Sequence, residues 1–98
     1  MTLRDKAYEV ARSACGAKGH AEAKDALQKA FPLVEWDKIV EAYLDAARMD
    51  DAAYEFGDRL IRGGLSEQEA VAEARRKFPN FSDGTYRIFL SKAVLVAR

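Results

Sequence analysis

The sequence predicts an all-α protein, with six helices arranged as two tandem three-helix units that share a core. Three observations lead there. Apolar residues recur at helical spacing, as at Ala7, Val10, Ala11, Ala14 and Cys15, and no stretch alternates convincingly as a strand would. The same face returns 46 residues later at Ala53, Phe56, Gly57, Leu60 and Ile61. Phe-Pro also occurs twice, at Phe31-Pro32 and Phe78-Pro79, 47 residues apart, and each time a helix-like stretch ending in Arg follows.

The first helix is expected over about 3–15, with Thr2 and Asp5 in a capping-box arrangement. A glycine turn from Gly16 to Gly19 then leads to a second helix over about 20–31, with Ala23, Leu27 and Phe31 on its apolar side. Phe-Pro ends it, because the residue before proline avoids the helical region and proline lacks an amide hydrogen. Pro32 is suited to open the third helix, over about 33–47. Asp50 can cap a fourth over about 51–62, closed by Gly63 in the left-handed region. Ser66 and Glu69 form the capping box of a fifth, over about 67–78, whose Ala70, Ala74 and Phe78 match Ala23, Leu27 and Phe31. The sixth runs over about 83–96 after a turn from Asn80 to Ser82, with Ser82 as its cap.

The units therefore cover about 3–48 and 51–98 of a single 98-residue domain, and each Phe plugs the core at its corner. Apolar residues make up 49% of the chain and charged residues 33%, a globular rather than a disordered composition. The large core members expected are Tyr8, Val10, Leu27, Phe31, Leu33, Trp36, Tyr43, Phe56, Leu60, Ile61, Phe78, Phe81, Ile88, Phe89 and Leu95. Alanine supplies much of the rest, so helices can approach closely, as the small residues Ala7, Ala11 and Gly57 would allow.

Sixteen basic residues balance sixteen acidic ones, which removes long-range attraction to nucleic acid or anionic membrane. The opening MTLRDKAYEV lacks the apolar core of a signal peptide and no run could span a bilayer, so a soluble cytoplasmic protein is expected.

Catalytic chemistry finds little to build on. Cys15 and His20, the only residues of their kinds, are the barest form of a nucleophilic pair, with no Asn or Asp placed to orient the imidazole. Cys15 aligns with Ile61, so a buried structural cysteine and an exposed turn histidine are expected. One Cys and one His fall short of a zinc set, and no cofactor motif is present. GAKG, with Lys18, is similar to the backbone-clamping GxxG loop of KH domains, but those carry a three-stranded sheet, and a helix–helix turn is expected here. Glu35, Asp37, Glu41 and Asp45 line the polar side of the third helix with Lys38 among them, and no pocket is implied that would raise a carboxylate pKa. The chain is not expected to be an enzyme.

LSEQEAVAEARRKFPNFSDGTYRIFLSKA places Arg75, Arg76 and Lys77 at the end of one helix and Thr85, Tyr86 and Arg87 at the start of the next. This arrangement resembles a helix-turn-helix, and the small tri-helical segments of phage and plasmid proteins that carry Phe-Pro before their last helix. The resemblance covers about a third of the chain. It implies the alternative function, a DNA-binding transcriptional regulator, for which Arg75, Arg76, Lys77, Tyr86 and Arg87 are the candidate contacts. Against it, the third helix is acidic, and the sixth has only a narrow polar stripe of Arg87, Ser91 and Arg98.

The leading expectation is a non-enzymatic protein that binds, and so regulates or inhibits, another protein. Its candidate contacts are Glu35, Asp37, Glu41 and Asp45 on the third helix and Arg87, Lys92 and Arg98 on the sixth, since corresponding helices carry opposite charge. Phage-encoded inhibitors of host machinery, anti-CRISPR proteins among them, act in this way. From Ile88 to Ala97 only Ser91 and Lys92 are polar. Either the first unit covers the rest of this helix, or two chains pair through it as a homodimer, an outcome the thin alanine core favours.

Overall fold

In the computed structural model, which describes residues 2–97, helix is the only regular structure among the described residues. The elements are α1 (Leu3–Ala11), α2 (Gly16–Ala30), α3 (Trp36–Asp51), α4 (Ala53–Ile61), α5 (Glu67–Lys77) and α6 (Asp83–Ala97). Only Ala52 separates α3 from α4. Its amide donates to the Met49 carbonyl at 3.0 Å, a single tightened turn. With α3 and α4 taken as one interrupted helix the described residues hold five helices, and the expected six are reached only by dividing at Ala52. The chain splits into two compact units, Met1–Arg48 and Met49–Arg98.

In the first unit Thr2 Oγ1 accepts from the Asp5 amide at 3.2 Å and starts α1 as expected. The helix then stops at Ala11, before Cys15. The reversal occupies 12–15, and α2 starts at Gly16, whose φ of +71° a side chain would resist. GAKG is thus the first turn of α2, not the helix–helix turn expected. Ala7, Tyr8 and Ala11 of α1, Ala23 and Leu27 of α2, and Ile39, Ala42, Tyr43 and Ala46 of α3 are buried. Arg4 of α1 pairs with Asp45 of α3.

Phe31 ends α2 at φ −131°, ψ 67°. Pro32 does not open α3. It lies in a turn closed by the Val34 amide on the Phe31 carbonyl at 3.1 Å, and Gln28 Nε2 donates to the Phe31 and Val34 carbonyls at 3.0 and 2.9 Å. The turn lifts Leu33 to 98% exposure and leaves Trp36 47% exposed, so neither belongs to the core.

In the second unit α4 has no side-chain cap. Its first i→i−4 bond runs from the Phe56 amide to the Ala52 carbonyl at 3.2 Å, and Asp50, the expected cap, pairs with Lys92. The C-terminus of α4 is closed by glycines: Gly63 N donates to Leu60 O at 3.2 Å and Gly64 N to Arg59 O at 2.9 Å, with Gly63 at φ +77°. This is a Schellman closure. Ser66 and Glu69 complete both arms of the α5 capping box at 3.1 Å. Phe78 ends α5 at φ −130°, ψ 74°, its carbonyl accepting from the Tyr86 hydroxyl at 2.6 Å. Ser82 Oγ accepts from the Thr85 amide at 3.3 Å and caps α6.

The core of this unit is tightest where α4 crosses α6. A Cβ on Gly57 would lie 1.8 Å from the Ala93 carbonyl oxygen and 2.8 Å from Ala97 Cβ, so only glycine permits the approach. Beside it Phe56 and Phe89 meet edge to face, centroids 5.1 Å apart. Several expected core residues lie further out. Val10, Phe31, Leu60 and Phe78 are half-buried, while Ile61, Ile88 and Leu95 are exposed, because they sit at helix ends or on the outer side of α6.

Candidate functional site

The acidic residues expected to meet a partner divide into two groups. Asp45 is held by Arg4 and lies 3.6 Å from Arg48, and Glu41 reaches Lys38 at 3.5 Å and Arg4 at 3.9 Å. Glu35 precedes α3 and Asp37 lies in its first turn, both exposed, and neither carboxylate has a partner among the described residues. Beside them runs an apolar ridge: Leu33, then Trp36, Val40 and Leu44 at four-residue spacing along α3, with Leu33, Trp36 and Leu44 exposed and Val40 half-buried. Sequence reasoning placed Leu33 and Trp36 inside and so missed this ridge. The available signal was a second apolar line, Trp36–Val40–Leu44, beside the buried line of Ile39 and Tyr43.

On α6, Lys92 is taken up by Asp50, and their side chains are only 30% and 15% exposed. Arg98 lies outside the described residues. Arg87 is exposed and has no partner among the described residues. It stands on a trough in the second unit whose apolar walls are Leu60 and Ile61 from α4, Val71 from α5, and Leu90 and Val94 from α6. Arg75 and Glu67 complete the polar rim.

The residues proposed to read DNA do not form a free basic face. Tyr86 is buried, with its hydroxyl on the Phe78 carbonyl. Arg75 pairs with Asp83 and lies 5.6 Å above the Tyr86 ring. Arg76 and Lys77 turn toward Glu73, at 3.8 and 3.6 Å, where Arg59 Nη2 also donates at 3.2 Å. The hydrogen bond from Arg59 holds the Glu73 carboxyl below the usual carboxylate range against a smaller opposing effect of burial, and Glu73 in turn raises Arg59. Ser66 likewise lowers Glu69 through both arms of the capping box.

The Cys15–His20 expectation is corrected on both sides. Because α1 ends early, Cys15 leaves the apolar face assigned to it and is exposed at the N-cap of α2. His20 is a half-buried helix residue, its Nδ1 bonded to the Tyr43 hydroxyl and its ring edge-on to Tyr43 at 5.7 Å. Among the described residues no group of three or more His, Cys, Asp or Glu side chains is placed to hold a metal ion, and no helix is long and apolar enough to cross a membrane. No protein-family model, no curated protein and no solved structure matches the chain.

Proposed function

We propose that this chain is a non-enzymatic binding protein that regulates or inhibits a partner protein by covering part of its surface. The contact runs through the ridge of Leu33, Trp36, Val40 and Leu44, with Glu35, Asp37 and Glu41 along its edge. One observation carries the reading: Leu33 is 98% exposed beside a half-exposed tryptophan and two unpaired carboxylates. A central aromatic anchor with aliphatic neighbours and a polar rim is the composition of an energetic hot spot. Inhibitors carried by phages are one class this reading fits.

The ridge is built on what we read as two tandem three-helix units. At a spacing of 47 residues Phe31 and Phe78 share one backbone conformation, and α3 and α6 both start five residues after their Phe. Ile39, Ala42, Tyr43 and Ala46 correspond to Tyr86, Phe89, Leu90 and Ala93, all buried. The alternative, a DNA-binding regulator, draws less support, because of its five contacts only Arg87 is both exposed and unpaired.

The test is a comparative affinity purification from the native host. A protein retained by the parent chain, lost with Leu33→Asp and with Trp36→Ala, and rebound in purified form supports the reading. Retention that neither substitution changes overturns it. Salt-sensitive retention of DNA that Arg87→Ala abolishes would favour the alternative.

A further inference from the structure

We propose that the ridge on the first unit of one molecule seats in the trough on the second unit of another copy, so that the chain self-associates head to tail. This goes beyond the partner reading and does not depend on it, since the purified chain alone is tested. The two surfaces match in length. Trp36 to Leu44 is eight residue steps along α3 and Arg87 to Val94 seven along α6, about 12 Å and 11 Å at the helical rise. They also match in shape and chemistry, a convex apolar line facing a concave apolar floor, which is how an amphipathic helix is taken up by a groove.

Charge decides which copies of the surface meet. The ridge carries Glu35 and Asp37 without partners, and the trough carries Arg75 and Arg87 against one acid, Glu67. Ridge on ridge would set unpaired carboxylates against each other, and trough on trough would bring together two rims with more bases than acids. Ridge in trough joins the acidic edge to the base-rich rim, the arrangement that charge favours. Glu67, the acidic group on the trough rim, lies in the first turn of α5, where the helix dipole already favours it. The contact is therefore heterologous, unlike the symmetric pairing through α6 expected from sequence.

Light scattering of the full chain from low micromolar to submillimolar concentration, with the emission of Trp36 followed in the same samples, is the experiment. The mass is expected to rise with concentration, Trp36 emission to move to the blue as the ridge is covered, and both effects to weaken in high salt. Leu44→Lys and Arg87→Glu, each checked for helicity by circular dichroism, should each weaken association about tenfold or more. Mixed in equal amounts they should regain a dimer, because one supplies an intact trough and the other an intact ridge. Leu95→Lys, on the outer side of α6, should leave association unchanged. A monomeric mass at every concentration with Trp36 emission unmoved would overturn the proposal. So would a mixture that stays monomeric, or association that Leu95→Lys abolishes and Leu44→Lys leaves intact.

Discussion

Asp45 on α3 pairs with Arg4, and Lys92 on α6 pairs with Asp50, so the two ion pairs run in opposite sense, with the acid on the later helix in one and the base in the other. In the two-unit reading we propose, Asp45 and Lys92 are equivalent positions, and the polarity of the pair is exchanged between them. Part of the charge contrast between the two helices is therefore taken up by ion pairs within each unit, and the contact we propose omits Asp45 and Lys92 for that reason.

The pair in the second unit is mostly shielded from water, so breaking it should be measurable. Lys92→Asp is expected to cost roughly 1–3 kcal/mol, and Asp50→Lys with Lys92→Asp to recover most of the loss. Urea unfolding of the parent, both single variants and the double variant checks this. A double variant no better than the worse single variant would count against the exchange.

Gly57→Ala reverses an ordinary expectation. In an exposed helix interior the change would stabilise by up to about 1 kcal/mol. Here the new methyl meets the Ala93 carbonyl, so α4 and α6 must separate, at about 1–3 kcal/mol. A lowered melting temperature is expected, and an unchanged or raised one would contradict the close crossing.

The Phe-Pro corners should respond to loss of their side-chain donors. Tyr86→Phe removes the hydrogen bond to the Phe78 carbonyl and should cost about 1–3 kcal/mol, as should Gln28→Ala at the first corner. Phe31→Ala and Phe78→Ala, truncating half-buried rings, should cost about 2–3 kcal/mol, below the roughly 3–5 kcal/mol of a fully buried phenylalanine. Denaturant midpoints at constant slope report these losses.

Acid should loosen the second unit through Glu73 and Glu69. Both are lowered in the folded state, so the stability they contribute is present above the unfolded carboxylate pKa and is lost as pH falls through the folded values. Glu73→Gln should flatten the fall in stability below about pH 4.5, the region where an unfolded glutamate takes up its proton. Thermal melts from neutral to acidic pH measure the slope in the parent and the variant.

What the sequence made legible follows from local chemistry. The Ser66–Glu69 box, the Gly63 closure and both Phe-Pro stops need only neighbouring residues, and all four are where the pattern put them. Tyr43, Phe56 and Phe89 were readable as core from helical spacing. The errors arise where a decision is not local. The early end of α1 moved Cys15 to the surface and gave GAKG to α2, and the turn after Pro32 carried Leu33 and Trp36 outward. The apolar period is the same for a buried line and for an exposed one beside it, so the ridge shows only in three dimensions. The pairs Arg4–Asp45 and Asp50–Lys92 show only there too, since each joins residues more than 40 apart in sequence.

The division of the chain at Arg48 and Met49 also bears on how quickly the protein forms. Each unit's core is assembled by residues no further apart in sequence than that unit's own length, so little loop entropy is lost before the contacts begin to stabilise. Helical proteins with such local wiring fold in microseconds to milliseconds. During synthesis, at roughly 5–20 residues per second, the first unit has all of its own core residues before the second is complete. The contacts within the first unit can thus begin to form while the last helix is still being made.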